Sequence, residues 1–373
     1  ATGDPYYASA EFTGTFETLY VQDKYYVSDI LTVNYGLRYD SFEMANGPAY
    51  NEYGSSLLGF RNDTPASTSI VQPRFGFQLD ATNLDMFSSD RIVAAEIRGG
   101  YGLFAGRVPN VWLASPFANS GVVQYGSRTG RFAAGTPDCT TGAEITCFKA
   151  PETIYQDFPY SDYASTSPAQ AIDPNYDTPS TWKLNLELLL TTANGYDLKL
   201  AYNRDEAKDG VGFSDASASV EQVGKTGVVT YDSEGAYYIT NGPGASSDSI
   251  TLSLDKEFDN GVSVFASYTG LDAENAWNGT SSQLSSNLEY NPRVDLMNVS
   301  VGKTPWAIEN RFVAGLNYTA NWFNNAPTSF SLFYKAYSGK RFSYGFDGLY
   351  DGYDDANTLL YIPTAGDANV VYS

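Results

Sequence analysis

The chain has 373 residues and a net charge of -21. It has a pI near 4.2, with 17% charged and 15% aromatic residues. That acidic balance excludes a phosphate-tracking surface, which needs clustered Lys and Arg, and with it nucleic acid as a partner. Histidine is absent, which removes Ser-His-Asp and Cys-His nucleophiles, His-ligated zinc and the usual general base near neutral pH; the chain does not read as an enzyme.

Ten segments alternate apolar and polar residues with a period of two, the pattern of a strand between two media. "ETLYVQDKYYV" (17–27) is the first and least regular. "LTVNYGLRYD" (31–40) sets Leu31, Val33, Tyr35, Leu37 and Tyr39 against Thr32, Asn34, Gly36, Arg38 and Asp40. "RFGFQL" (74–79) and "AEIRGGYGLFAG" (95–106) follow, then "WKLNLELLL" (182–190), which sets Trp182, Leu184, Leu186, Leu188 and Leu190 against Lys183, Asn185 and Glu187. "YDLKLAYN" (196–203), "ITLSLDKEF" (250–258), "VSVFASYTG" (262–270), "FVAGLNYTANW" (312–322) and "FSLFYKAYSG" (330–339) complete the series. Phe104, Phe265 and Phe333 depart from it by standing on the polar phase, which a wide polar interior accommodates.

The connections alternate too. Short links are expected after strands one, three, five, seven and nine, and long ones after the others. Asn194-Gly195 and Asn260-Gly261 are pairs favoured in tight hairpin turns. An up-and-down meander with tight turns at one end and long loops at the other has this form, as outer-membrane barrels do. A soluble sandwich or propeller also alternates, but does not call for long loops at one end or for so many Tyr at strand ends. No apolar run approaches the ~20 residues of a membrane helix, so a membrane would be crossed by strands. No charged start followed by an apolar run is present, so no signal peptide is expected within the chain.

The reading is therefore all-β, a transmembrane antiparallel β-barrel. Residues 1–373 form a single barrel region, with long extracellular loops near 41–71, 108–178, 207–247 and 271–308 and lipid around the apolar face. Arg38, Asp40, Arg74, Asp80, Glu96, Arg98, Lys183, Glu187 and Lys199 would face the lumen. There they would pair with one another, seat a segment inside the barrel or touch a passing solute. In the longest loop Trp112, Phe117, Tyr125, Tyr155, Phe158, Tyr160 and Tyr163 would form a ligand-capture surface or pack the loop on its neighbours. Cys139 and Cys147 in the same loop read as a local disulfide, with free thiols as the alternative; a disulfide implies an oxidising compartment. "FDGLYDGYDDAN" (346–357) offers Asp347, Asp351, Asp354 and Asp355 as oxygen ligands for calcium, or is a solvated acidic loop. Beyond calcium no cofactor is expected. "VGKTG" (223–227) lacks the glycine spacing and strand-to-helix setting of a phosphate loop and is set aside.

These segments also carry a family likeness. "LYVQDKYYVSDILTVNYGLRYD" (19–40), "VQPRFGFQLDAT" (71–82) and "IRGGYGLFAGRVPNVWL" (97–113) resemble successive barrel strands of TonB-dependent outer-membrane receptors. "ENRFVAGLNYTANW" (309–322), "GKRFSYGF" (339–346) and "TLLYIPTAGD" (358–367) are similar to the Oar-like branch. The resemblance implies the outer membrane of a Gram-negative bacterium and a 22-stranded barrel around a plug. It also implies uptake of a large or scarce solute, including peptides, energised by the TonB protein through the plug. About ten strands and neither plug nor coupling box are found here, so the chain reads as a section of a larger receptor, or else as a small closed barrel. A structural or adhesion barrel holding a lipoprotein or other envelope protein is the alternative function.

Overall fold

The computed structural model describes residues 10–122, 168–223, 229–276, 279–291, 295, 297–323, 326–345, 359, 362, 366 and 367. Its strands are β1 (Gly14–Tyr26), β2 (Leu31–Met44), β3 (Ser67–Asp80), β4 (Ile92–Ala105), β5 (Ala171–Ile172), β6 (Ser180–Thr192) and β7 (Tyr196–Asp215). They continue with β8 (Ser219–Val223), β9 (Val229–Asp232), β10 (Tyr237–Gly242), β11 (Ser246–Glu257), β12 (Val262–Asn275), β13 (Gly302–Lys303), β14 (Asn310–Phe323) and β15 (Ala326–Tyr337). Among the described residues three short helices interrupt the long connections: α1 (Glu52–Leu58), α2 (Asn110–Ala118) and α3 (Leu284–Glu289). None is long and apolar enough to cross a membrane.

Ten strands run antiparallel in the order β1-β2-β3-β4-β6-β7-β11-β12-β14-β15, an up-and-down meander. Among the described residues β1 pairs only with β2 and β15 only with β14. The register aligns the two phases across the sheet. Leu37 faces Val21 and Pro73, and Tyr35 faces Phe75, which faces Tyr101. Tyr101 then faces Leu184, Leu188 faces Leu200, and Leu200 faces Leu252, which faces Tyr268. One face is thus a continuous field of large apolar side chains, many of them exposed: Leu37, Phe75, Leu200, Leu252 and Leu332 among them. In water this would be an aggregation surface; against lipid it is the expected wall.

Aromatic side chains bound this field at both ends, where an amphipathic ring has one apolar and one wet side. Tyr25, Trp322 and Phe330 lie exposed toward the tight turns, with Trp322 and Phe330 5.3 Å apart. Tyr39, Trp182 and Phe312 lie toward the long connections, and Tyr268, deeper in the band, reaches up with its hydroxyl to donate to Asn310 at 2.6 Å. From Phe312 to Trp322 the strand climbs ~33 Å, or ~25 Å along the normal at a ~40° tilt, the height of the apolar band of a membrane barrel. The few charges on this face are managed. Asp23 accepts a hydrogen bond from the Tyr35 hydroxyl at 3.0 Å. Lys256 lies over the rings of Tyr196 and Phe258, 5.2 Å from each, and reaches to the Asn194 carbonyl in the turn, so its charge leaves the apolar depth.

Several sequence expectations need correction. The link after strand three is not short: residues 81–91 separate β3 from β4, and Phe87 turns back to pack with Ala81 and Ala95. Most strands extend further toward the long-connection end than the alternation shows; β7 runs twenty residues, to Asp215, where the pattern shows only 196–203. The physical cause is an inversion of polarity. Beyond the upper aromatic belt the inner phase becomes apolar, as in Phe16, Phe42, Met44 and Ile70, so the period-two signal changes phase and is lost. A register shift in β7, between the pairs Thr181↔Ala207 and Ser180↔Asp209, adds to this.

The hydrophobic core lies here, at the mouth. Met44, Ala66, Leu113, Ile172, Phe213, Tyr231, Ile239, Leu284 and Leu288 form one buried cluster drawn from four long connections and the ends of β2 and β7. They make a folded cap over the long-connection end of the sheet.

Candidate functional site

Two arrangements stand out: the polar wall and the cap above it. On the wall, Arg38, Asp40, Arg74, Glu96, Arg98, Lys183, Glu187 and Lys199 share the face opposite the apolar field. Arg38 Nε donates to Asp40 at 2.9 Å, and the Thr18 hydroxyl and Gln72 amide donate to the same carboxylate at 2.7 and 2.5 Å. Glu187 receives Arg98 and Lys199, each at 2.6 Å; Glu96 lies 3.8 Å from Arg98. Lys183 meets Asp205 at 3.2 Å. Asp80 stands at the tight-turn end, where it accepts from the Thr82 N–H at 3.0 Å. A hollow of about 670 Å³ opens on this wall.

The phenylalanines of the polar phase have local reasons. Phe265 and Phe333 lie 6.3 Å apart and both face Gly315 between them; a methyl group at Gly315 would collide with the Phe265 ring. Phe104 lies beneath the Arg74 guanidinium at 4.5 Å. Pro73 lacks the N–H that would extend the ladder, and the pairing of β3 with β4 begins only at Arg74. Where the strands part, Gln72 substitutes for the backbone: its Oε1 accepts from the Ala105 N–H at 2.9 Å.

In the cap, Asn51 starts α1 by accepting from the Gly54 N–H at 2.9 Å and donates to the Ser120 carbonyl at 3.0 Å, tying α1 to the segment after α2. Trp112 packs edge-on against Phe213 at 5.2 Å, and its indole N–H donates to the Ser281 carbonyl at 2.6 Å. Phe117 stacks on Phe12 at 5.7 Å. Both rings therefore stand within the cap's packing. Tyrosine hydroxyls clasp carboxylates across connections: Tyr53 to Glu234, Tyr231 to Asp295, and Tyr237 to Glu289 at 2.5 Å. Burial, with the Asp295 hydrogen bond and charge, pushes the Tyr231 phenol up to about 12. Burial alone acts against ionisation of Asp295. Hydrogen bonds from Tyr231, Asn298 and Met297 outweigh it and hold the carboxyl below its ordinary value. Tyr176, buried in the same cluster, has a hydroxyl with no partner among the described residues, and burial raises its pKa well above the usual phenol.

Tyr125, Tyr155, Phe158, Tyr160, Tyr163, Cys139, Cys147, Asp347, Asp351, Asp354 and Asp355 lie outside the described residues, so the expected disulfide, the calcium loop and part of the capture surface do too. Among the described residues no cluster of acidic or sulfur side chains could hold a metal ion. The sequence reading did not foresee Gln72 or the tyrosine clasps. Their partners stand 32 to 181 residues away, beyond any periodic signal.

Among solved structures the chain is similar to the FrpB iron transporter of Neisseria meningitidis (F5-1 variant, apoprotein) at 11% identity and a TM-score of 0.42, over 84% of this chain and 32% of that one. It is similar to the outer membrane transporter YddB of Escherichia coli at 9% identity and a TM-score of 0.40, over 82% and 40%. With the siderophore receptor PiuA of Acinetobacter baumannii the values are 14% and 0.39, over 82% and 32%. The chain spans about a third to two fifths of the length of these proteins. No curated protein matches it. Residues 1–336 match the family model described as an outer membrane beta barrel domain. The chain belongs to that family, an all-β protein of the Gram-negative outer membrane.

Proposed function

We propose that the chain is a section of the barrel of a TonB-dependent receptor of the Oar-like branch. Its long loops would capture a large or scarce solute, a peptide among the candidates. Its inner wall would seat a plug through which the TonB protein releases the solute. The observation that carries this reading is the pairing of a lipid-facing apolar field with a charged, water-facing wall beneath a folded cap. The sequence likeness of residues 19–40, 71–82 and 97–113 to receptor strands supports it. A lipid-facing edge with unpaired N–H and C=O groups is untenable in hydrocarbon, so the outer edges of β1 and β15 call for further strands, as a larger barrel supplies. The domain layout follows: one barrel region with its long loops on the extracellular side. Calcium would bind at the Asp347–Asp355 loop.

The test is accumulation of labelled peptide pools by cells producing the full-length protein, with and without the energy-coupling protein. Accumulation that disappears with the coupling protein supports the proposal. Accumulation that is unchanged refutes it and favours a barrel that scaffolds envelope partners without transport.

A further inference from the structure

The charges of the polar wall are unevenly matched. Arg38, Arg98, Lys183 and Lys199 each meet a carboxylate. Arg74, between them, meets none among the described residues, yet it is held firmly. Its guanidinium lies 4.5 Å over the Phe104 ring, and Nη2 donates to Gln72 Oε1 at 3.2 Å. Gln72 is itself 1% exposed and fixed at both ends of its amide, by Asp40 and by the Ala105 N–H. A buried amide thus sets one edge of the guanidinium and an aromatic ring sets its plane. The remaining N–H groups form a planar, permanently charged fork. That fork borders the 670 Å³ hollow, together with Lys183, Asn34 and Asn185.

A long side chain loses rotamer freedom when it is held this way, and nothing in the fold requires it: Arg74 bridges no loops and neutralises no buried carboxylate. What the arrangement suits is an incoming planar oxyanion, which an oriented guanidinium binds through two parallel hydrogen bonds. Lys183 stands on the same rim but is matched by Asp205, which also lines the hollow, so the unmatched positive charge there is Arg74's own, with amide groups alongside. In a chain of net charge -21, that unmatched guanidinium favours an anion over other solutes.

We propose that Arg74, oriented by Gln72 and Phe104, is the primary contact of a binding site for a small carboxylate-bearing solute on the inner wall. The proposal rests on the polar face lining water, not on energised uptake, so it can fail or stand apart from the transport reading.

The test uses the full-length protein in detergent, phenylglyoxal as the arginine reagent, and citrate as the probe at constant ionic strength. Modification of Arg74 and of Arg91, an exposed arginine at the tight-turn end, is followed by peptide mass spectrometry. Citrate is expected to slow Arg74 modification in a concentration-dependent way, by about tenfold once citrate reaches roughly nine times its dissociation constant, while Arg91 is unaffected. Lys183→Gln and Phe104→Leu should each raise the citrate concentration needed for half protection. Equal slowing of Arg74 and Arg91, or equal effects of citrate and chloride, would overturn the proposal. So would an Arg74 that is unreactive before citrate is added, because the protein itself would then occupy the fork.

Discussion

Leu252 and Thr251 are neighbours in β11 on opposite faces of the sheet, and the same substitution at each should have very different costs. Leu252 is 52% exposed and faces Leu200 and Tyr268. It stands between Asp248 at the upper boundary and Phe258 at the tight-turn end, roughly 10–15 Å from each at the usual rise and tilt. That is near the bilayer midplane, where an outward-facing Arg costs about 2–4 kcal/mol. Thr251 faces the wet wall, opposite Ala201 and Thr269. There Thr251→Arg loses a hydroxyl contact of 3.0 Å to Thr269, worth about 1 kcal/mol at most. Guanidinium unfolding in phospholipid vesicles, followed by tryptophan fluorescence, measures both. Leu252→Arg should lower the folded-to-unfolded ratio about 30- to 700-fold, at 1.4 kcal/mol per decade. In a soluble protein a half-exposed Leu replaced by Arg would cost little. Equal small costs at both positions would therefore refute the lipid-facing assignment.

Three further outcomes follow from the same structure. Gly315→Ala should destabilise by about 1–3 kcal/mol through overpacking against Phe265, and the cost should shrink in a Phe265→Ala background; additivity of the two in the same unfolding assay would refute the contact. Tyr176→Phe removes a buried hydroxyl with no partner among the described residues, so thermal stability of the cap should hold or rise by up to about 1 kcal/mol, and a clear loss would show that the hydroxyl is bonded. Tyr231 keeps its proton to about 12 in the fold but loses it near 10 when unfolded. Between those values the unfolded state binds fewer protons, so stability falls as pH rises, by roughly 3 kcal/mol in all. Near-UV circular dichroism should show the cap loosening across that window, and Tyr231→Phe should weaken the dependence, leaving the part that buried Tyr176 supplies; an unchanged alkaline transition in that variant would contradict the assignment.

The membrane half of the fold was legible because lipid and water impose one rule on every strand. Leu184, Leu186, Leu188 and Leu190 alternate with Lys183, Asn185 and Glu187 however distant their partners are. Above the belt that rule lapses. Phe42 and Met44 turn inward to a cap built from remote segments, and their phase looks like noise until the cap is seen. The helices are short and take their stability from packing, as where Gly54 of α1 lies so close to Ala169 that a side chain would collide. The wall shows the same division. Arg74 could be placed by parity alone, but its Phe104 platform depends on strand register and its Gln72 clamp on the point where β3 and β4 separate. Trp112 was legible as a loop aromatic, whereas its burial against Phe213 and Ser281 was not.

The central claim is that lipid bathes one face of the sheet and water the other. Single spin labels placed along residues 196–206, with Cys139 and Cys147 replaced by Ser, test it in vesicles by relaxation with oxygen and with a water-soluble nickel complex. Oxygen should dominate at 198, 200 and 202 and nickel at 199, 201 and 203. Alternation in the opposite phase, or equal nickel access along the whole stretch, would contradict the account.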